Sequence, residues 1–198
     1  MKKIILNSYI IFTLLFLSNV AKAENYIFGG AKIFNYGVET SDLQSINTSL
    51  VNLGFASSRS STDNTGIGFD IGYGIGLNKN LSIEVGYVNY GTLEINTNTT
   101  GPVENIKTEI SGNGLTFGGK YTDESGLYVK GGMHSWDLSG KVSASLGSSS
   151  EALGEGTDPF FSIGYQSPDS KGWNVGYDHY VIDDGDIGSI TLGYFSTF

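Results

Sequence analysis

Cysteine is absent from this 198-residue chain, proline occurs three times, and only 11 Lys and Arg stand against 20 Asp and Glu. Each shortage excludes something. Without cysteine there is neither a disulfide framework nor thiol chemistry. A formal charge of −9 makes nucleic acid or anionic lipid a poor partner through simple charge attraction. Long apolar runs are missing too. The longest, Ile4 to Leu17, falls short of the roughly 20 residues of a spanning helix. It follows Met1-Lys2-Lys3 and precedes Ala21-Lys22-Ala23, so residues 1–23 read as a secretory signal peptide cut after Ala23. Residues 24–198 remain as one domain, with 8 basic and 20 acidic residues and a charge of −12. No apolar stretch within them suits a helical membrane span.

What is present is glycine, 29 residues, and aromatics at 13 %. Glycine alone would suit disorder, but here it alternates with Ile, Phe and Tyr, which disordered segments lack. Heptads and amphipathic helical stripes are scarce. The repeating signal has period two, the signature of strands. It is clearest from Gly66 to Leu77, where Ile67, Phe69, Ile71, Tyr73, Ile75 and Leu77 share one face. The opposite face holds only Asp70 and glycines. Similar runs begin at Leu81, Leu115, Leu127, Phe161, Trp173 and Ile190, and a less regular one spans Tyr26 to Asn35, whose faces the pattern leaves unassigned. Eight antiparallel strands are predicted.

Their connections come in two kinds. Asn78–Asn80, Asp123–Gly126 and Ser167–Gly172 are short, whereas 36–65, 92–107 and 139–155 are long and rich in Ser, Thr and Asn. The two kinds alternate strictly, before a modest last connection at Asp183–Asp186. An up-and-down barrel then gathers every short turn at one rim and every long loop at the other, as transmembrane barrels do. A soluble barrel would turn its apolar rows inward, leaving a surface of little but glycine. Inverted, the rows face lipid and the glycines face a narrow lumen. Charges fit that inversion. Asp70, Glu84, Lys120, Lys130 and Asp178 share the non-apolar face, and Lys32 joins them in a six-residue interior network whose charges cancel. Poorly hydrated charges must pair. Counting from the short-turn rim sets Glu84 with Lys120 or Lys130, and Lys32 higher with Asp70 or Asp178. Trp173, Tyr121 and Tyr165 beside the short turns, with Tyr87 and Tyr177 toward the other end, give two aromatic levels.

Four segments, GYGIGLNKNLSIEVGYVNYG (72–91), GLYVKGGMHSWD (126–137), GTDPFFSIGYQ (156–166) and WNVGYDHYVIDDGDIGSITLGYFSTF (173–198), resemble the OmpA-like transmembrane domain family. The resemblance implies an all-β, eight-stranded antiparallel up-and-down barrel in the outer membrane of a Gram-negative cell, both termini periplasmic. It also implies outer-membrane lipid and lipopolysaccharide as surroundings. Ile190, Leu192, Tyr194 and Phe198 look like the C-terminal signal read by the barrel assembly machinery, with Ser196 a departure from it.

Chemistry is thin. The two histidines, His134 and His179, adjoin Ser135 and Asp178, and neighbours on a strand point to opposite sides. No catalytic residue, metal site or cofactor is therefore expected. Asp183, Asp184 and Asp186 lack the full spacing of a calcium loop. The expected role is structural or adhesin-like, with a surface ligand held by loops 36–65, 92–107 and 139–155. The alternative is a narrow porin-like channel for small solutes.

Overall fold

Side chains at every second position cannot bury one face of an isolated ribbon, so such strands must pair, and a closed ring leaves no edge. The computed structural model describes residues 24–55, 57–100, 105–183 and 185–198. Residues 1–23, expected to be a signal peptide, lie outside them. Strands β1 (Tyr26–Asn35), β3 (Thr65–Gly76), β4 (Leu81–Thr100), β5 (Ile106–Thr122), β6 (Leu127–Ala144), β7 (Gly147–Gln166), β8 (Lys171–Ile182) and β9 (Gly185–Thr197) are antiparallel to their neighbours. Pairing of β1 with β9 closes the ring of eight.

Exposure decides the orientation of the wall. Ile67, Phe117 and Leu192 are 79 %, 62 % and 65 % exposed, while Lys32, Glu84 and Asp178 are 1 %, 4 % and 3 % exposed. The apolar rows point outward. The irregular first run now has assigned faces: Tyr26, Lys32 and Phe34 point in, and Ile27 and Ile33 point out.

Glycine serves the interior by making room. Tyr26 lies against Gly74, where an added Cβ would sit 2.1 Å from the ring. Phe28 occupies the space over Gly72, and Phe34 the space over Gly68. Each ring uses the volume that its neighbouring strand gives up.

The expected long loops are largely regular structure. Segment 36–65 contains helix α1 (Thr40–Asn52) and a ninth, short strand β2 (Ser57–Thr62), which pairs with β4 outside the ring. A Glu39–Asp42 capping box starts the helix, whose half-buried residues are Leu43, Ile46, Asn47 and Leu50. Few apolar residues and many Ser, Thr and Asn hid it. Segments 92–107 and 139–155 are mostly strand: β4 and β5 remain paired up to Thr97–Ile106, and β6 and β7 up to Ala144–Gly147. Polar side chains on both faces disguised these extensions, because strand pairing satisfies the backbone whatever the side chains are. A bulge at Asn89/Thr92, with Gly91 at φ +74°, re-aims β4 as it leaves the ring. The result is a barrel with one level rim of short turns and one uneven rim, where β4 to β7 rise as a sheet flanked by β2.

Candidate functional site: the filled lumen and the tall sheet

Six charged residues project into the lumen from six different strands. Lys32 on β1 places its Nζ 2.6 Å from Asp178 Oδ2 on β8 and 3.2 Å from Asp70 Oδ2 on β3. Asp178 also accepts from Ser162 Oγ at 2.5 Å and from the Thr191 hydroxyl. Nearer the short turns, Glu84 on β4 meets Lys130 at 3.0 Å and Lys120 at 3.4 Å, and accepts from Tyr26 Oη at 2.5 Å. Lys120 and Lys130 stand directly across the β5–β6 ladder, a repulsive arrangement that Glu84 offsets by reaching both. Aromatic faces receive the ammonium groups as well. Lys120 Nζ is 4.6 Å from the Tyr128 ring centre, and Lys130 Nζ is 5.2 Å from that of Phe28. Between the two ion clusters is a cavity of about 30 Å³, room for one or two waters, bordering on Asp70, whose Oδ1 has no protein partner.

Above the ions, toward the tall rim, is a layer that the sequence reading missed. Phe34, Val88, Tyr90, Trp136, Phe160, Tyr180 and Ile182 form one buried apolar cluster. His134 sits among them, fully buried. Tyr90 Oη is 2.5 Å from His134 Nδ1, and Nε2 is 2.6 Å from the Val181 carbonyl, so Nε2–H donates and Nδ1 accepts. Both ring nitrogens are thus hydrogen-bonded inside the barrel. The missed signal was present: Tyr128, Tyr180 and Trp136 fall on the inward parity of their strands. Salt bridges and rings together fill the middle and upper lumen, and a cavity of about 550 Å³ opens at the short-turn rim beside Tyr26, Ser82, Lys120 and Phe195.

Ile190, Leu192 and Tyr194 form an exposed outward row on β9, and Phe198 contacts Tyr73 at 6.0 Å between ring centres. His179 faces outward too, stacked on Phe161 with Nε2 3.2 Å from Asp186 Oδ1. Among the described residues no group of three acids or histidines could hold a metal ion.

On the tall sheet, Lys107 bridges Glu94 at 2.8 Å and Glu109 at 2.9 Å. The hydrogen bond from Lys107, and then its charge, hold the Glu109 carboxyl below the usual carboxylate range. By sequence, segments 36–65, 92–112, 136–158 and 183–186 carry 13 acids and 3 bases. Ten of the twelve excess negative charges of residues 24–198 therefore fall, by sequence, in these four segments.

A family model described as "Outer membrane protein beta-barrel domain" matches residues 10–197. No curated protein matches. Among solved structures, the attachment invasion locus protein Ail of Yersinia pestis aligns with a TM-score of 0.53 at 16 % identity, covering 89 % of this chain and 99 % of that one. A second structure of Ail, in complex with the heparin analogue sucrose octasulfate, aligns equally well. The outer membrane protein OprG of Pseudomonas aeruginosa aligns at 10 % identity with a TM-score of 0.45, covering 88 % of this chain and 96 % of that one.

Proposed function

The chain belongs to the outer-membrane β-barrel domain family, and from that premise we propose that it is a non-enzymatic surface-interaction protein. Its barrel is a closed anchor, and its tall sheet is the working part. The observation that carries this reading is the overshoot of β4 to β7. Beyond Asn89, its last pair with β3, strand β4 runs eleven more residues, roughly 35 Å of extended chain. An anchor alone needs no such extension.

The alternative, a narrow channel, is opposed by the filling of the lumen. A 30 Å³ void between ion pairs passes no solute unless the pairs and the ring layer above them rearrange together. Catalysis finds no support at His134, which is fully buried and hydrogen-bonded at both nitrogens.

The acidic tall end faces outward from the cell, and the short turns and both termini lie in the periplasm. Residues 1–23 serve as the export signal, and Ile190, Leu192, Tyr194 and Phe198 as the row that the assembly machinery reads. Ail was crystallised with the heparin analogue sucrose octasulfate, and a surface ligand is consistent with the present reading. A polyanion itself is not, because the four segments of the tall end carry −10 here by sequence.

Deleting the sheet while keeping the ring tests the proposal. A variant in which 93–110 and 139–153 are replaced by short turns is expected to retain heat-modifiable migration in detergent but to lose adhesion of producing cells to cultured epithelial cells. Unchanged adhesion, or steady single-channel conductance of the intact protein in a planar bilayer, would overturn it.

A further inference from the structure

The β7–β8 ladder stops at Phe160↔Tyr180. Pro159, next on β7, has no N–H to continue it. On the β8 side, the Val181 carbonyl is taken by His134. From Gly147 to Asp158, twelve residues, β7 is paired with β6 alone, and Gly147 to Glu155 are all exposed. Free strand edges are normally blunted with lysine, proline or a cover. Among the described residues this one has none above Pro159, and its charges are Glu151, Glu155 and Asp158.

At the foot of the edge is a notch of about 590 Å³ walled by Trp136, Leu138, Leu153 and Ile182. Three features keep it open. Gly156 leaves room for the Trp136 ring, which an added Cβ would approach to 2.7 Å, and Gly154 is equally bare. Leu153 is the bulged residue of β7, extra in the register between Leu138 and Ser139. Asp158 pins the floor by accepting from Trp136 Nε1 at 2.7 Å and from the Asp183 amide at 3.2 Å.

We propose that this open edge and its notch form a strand-addition site for an extended partner segment in which apolar and basic residues alternate. The proposal rests on the surface-interaction reading above and names its partner class. Main-chain hydrogen bonds to β7 supply affinity, and the notch selects an apolar side chain. Glu151, Glu155 and Asp183 select positive charge, since Lys107 and Lys141 are held at Glu94 and Glu109. A second copy is a poorer occupant, because its own edge presents the same carboxylates.

The test uses the full-length protein folded in lipid nanodiscs and fluorescence anisotropy of a labelled peptide of alternating lysine and valine, as long as the open edge. Two controls accompany it: the same peptide N-methylated at alternate residues, and a glutamate–valine peptide. The lysine–valine peptide is expected to bind at least about tenfold more tightly than its methylated form, with the glutamate peptide unbound. Leu153→Arg and the pair Glu151→Lys and Glu155→Lys are each expected to weaken binding by about tenfold or more while heat-modifiable migration is kept. Equal binding of the methylated peptide would mean charge attraction alone, and equal binding of the glutamate peptide would mean no charge selection. Either overturns the site, as does binding that the folded variants leave unchanged. So does dimerisation in sedimentation that the same substitutions abolish, which assigns the edge to a second copy. If instead the peptide fails but the truncated sheet still loses cell adhesion, only the strand-addition site falls and the surface role stands.

Discussion

At the residue scale, each buried charge in the lumen leans on a partner from another strand, so removing one partner strands another. Lys130→Met leaves Glu84 with Lys120 at 3.4 Å and the Tyr26 hydroxyl. Breaking a buried pair costs about 3–5 kcal/mol. The urea unfolding midpoint should fall in Lys130→Met, and adding Glu84→Gln should not restore it, because Lys120 then loses its ion pair with Glu84. An unchanged midpoint in the single variant rejects the pairing. The same logic in volume applies to Gly74→Val, where the new side chain meets the Tyr26 ring; a loss of about 1–3 kcal/mol is expected in the same assay. The charged residues were legible in the sequence because parity and charge balance pointed the same way. Their packing against Phe28, Tyr128 and Phe160 was not, because a ring on the inward parity looks like any aromatic until the glycine opposite it is known.

At the element scale, the short turns and the tall strands differ in what holds them. In the turn between β5 and β6, Asp123 accepts from the Ser125 hydroxyl at 2.7 Å and from the Ser125 and Leu127 amides, and these bonds hold its carboxyl below the usual carboxylate range. A lowered folded-state value means that the turn is supported above the ordinary value of 3.8 and loses that support as pH falls from there through the depressed one. Amide exchange at Ser125, Gly126 and Leu127, taken relative to the intrinsic rate at each pH, should therefore quicken on acidification through that window. In Asp123→Asn it should already be faster at neutral pH and show no such step. Gly126, at φ +94°, is a second requirement of this turn, and Gly126→Ala is expected to weaken it. Short turns were readable because Asn, Asp, Ser and Gly cluster where the alternation breaks. The strand extensions beyond Asn89 and Ser139 were not, since Ser, Thr and Asn on both faces carry no period, and only cross-strand pairing shows that they are strands.

At the scale of the whole molecule, the excess negative charge sits at one end, while the lumen is neutral. Association with a cationic partner should weaken as salt rises, because solvent-exposed charges are screened over about 8 Å at physiological ionic strength. A lysine–valine peptide whose affinity is indifferent to salt between 50 and 500 mM would contradict the electrostatic share of its binding. By itself, the sequence determined the class of architecture and its orientation. Period-two rows whose one side is apolar and whose other side is glycine with balanced charge allow a barrel only with the rows outward, a local property of each strand. Register, by contrast, is a property of two strands at once. It decided that Glu84 reaches both Lys120 and Lys130, that a ring layer lies above them, and that β7 continues for twelve residues after β8 has left it. No single stretch of chain states where its neighbour ends, so the open edge exists only in the folded sheet.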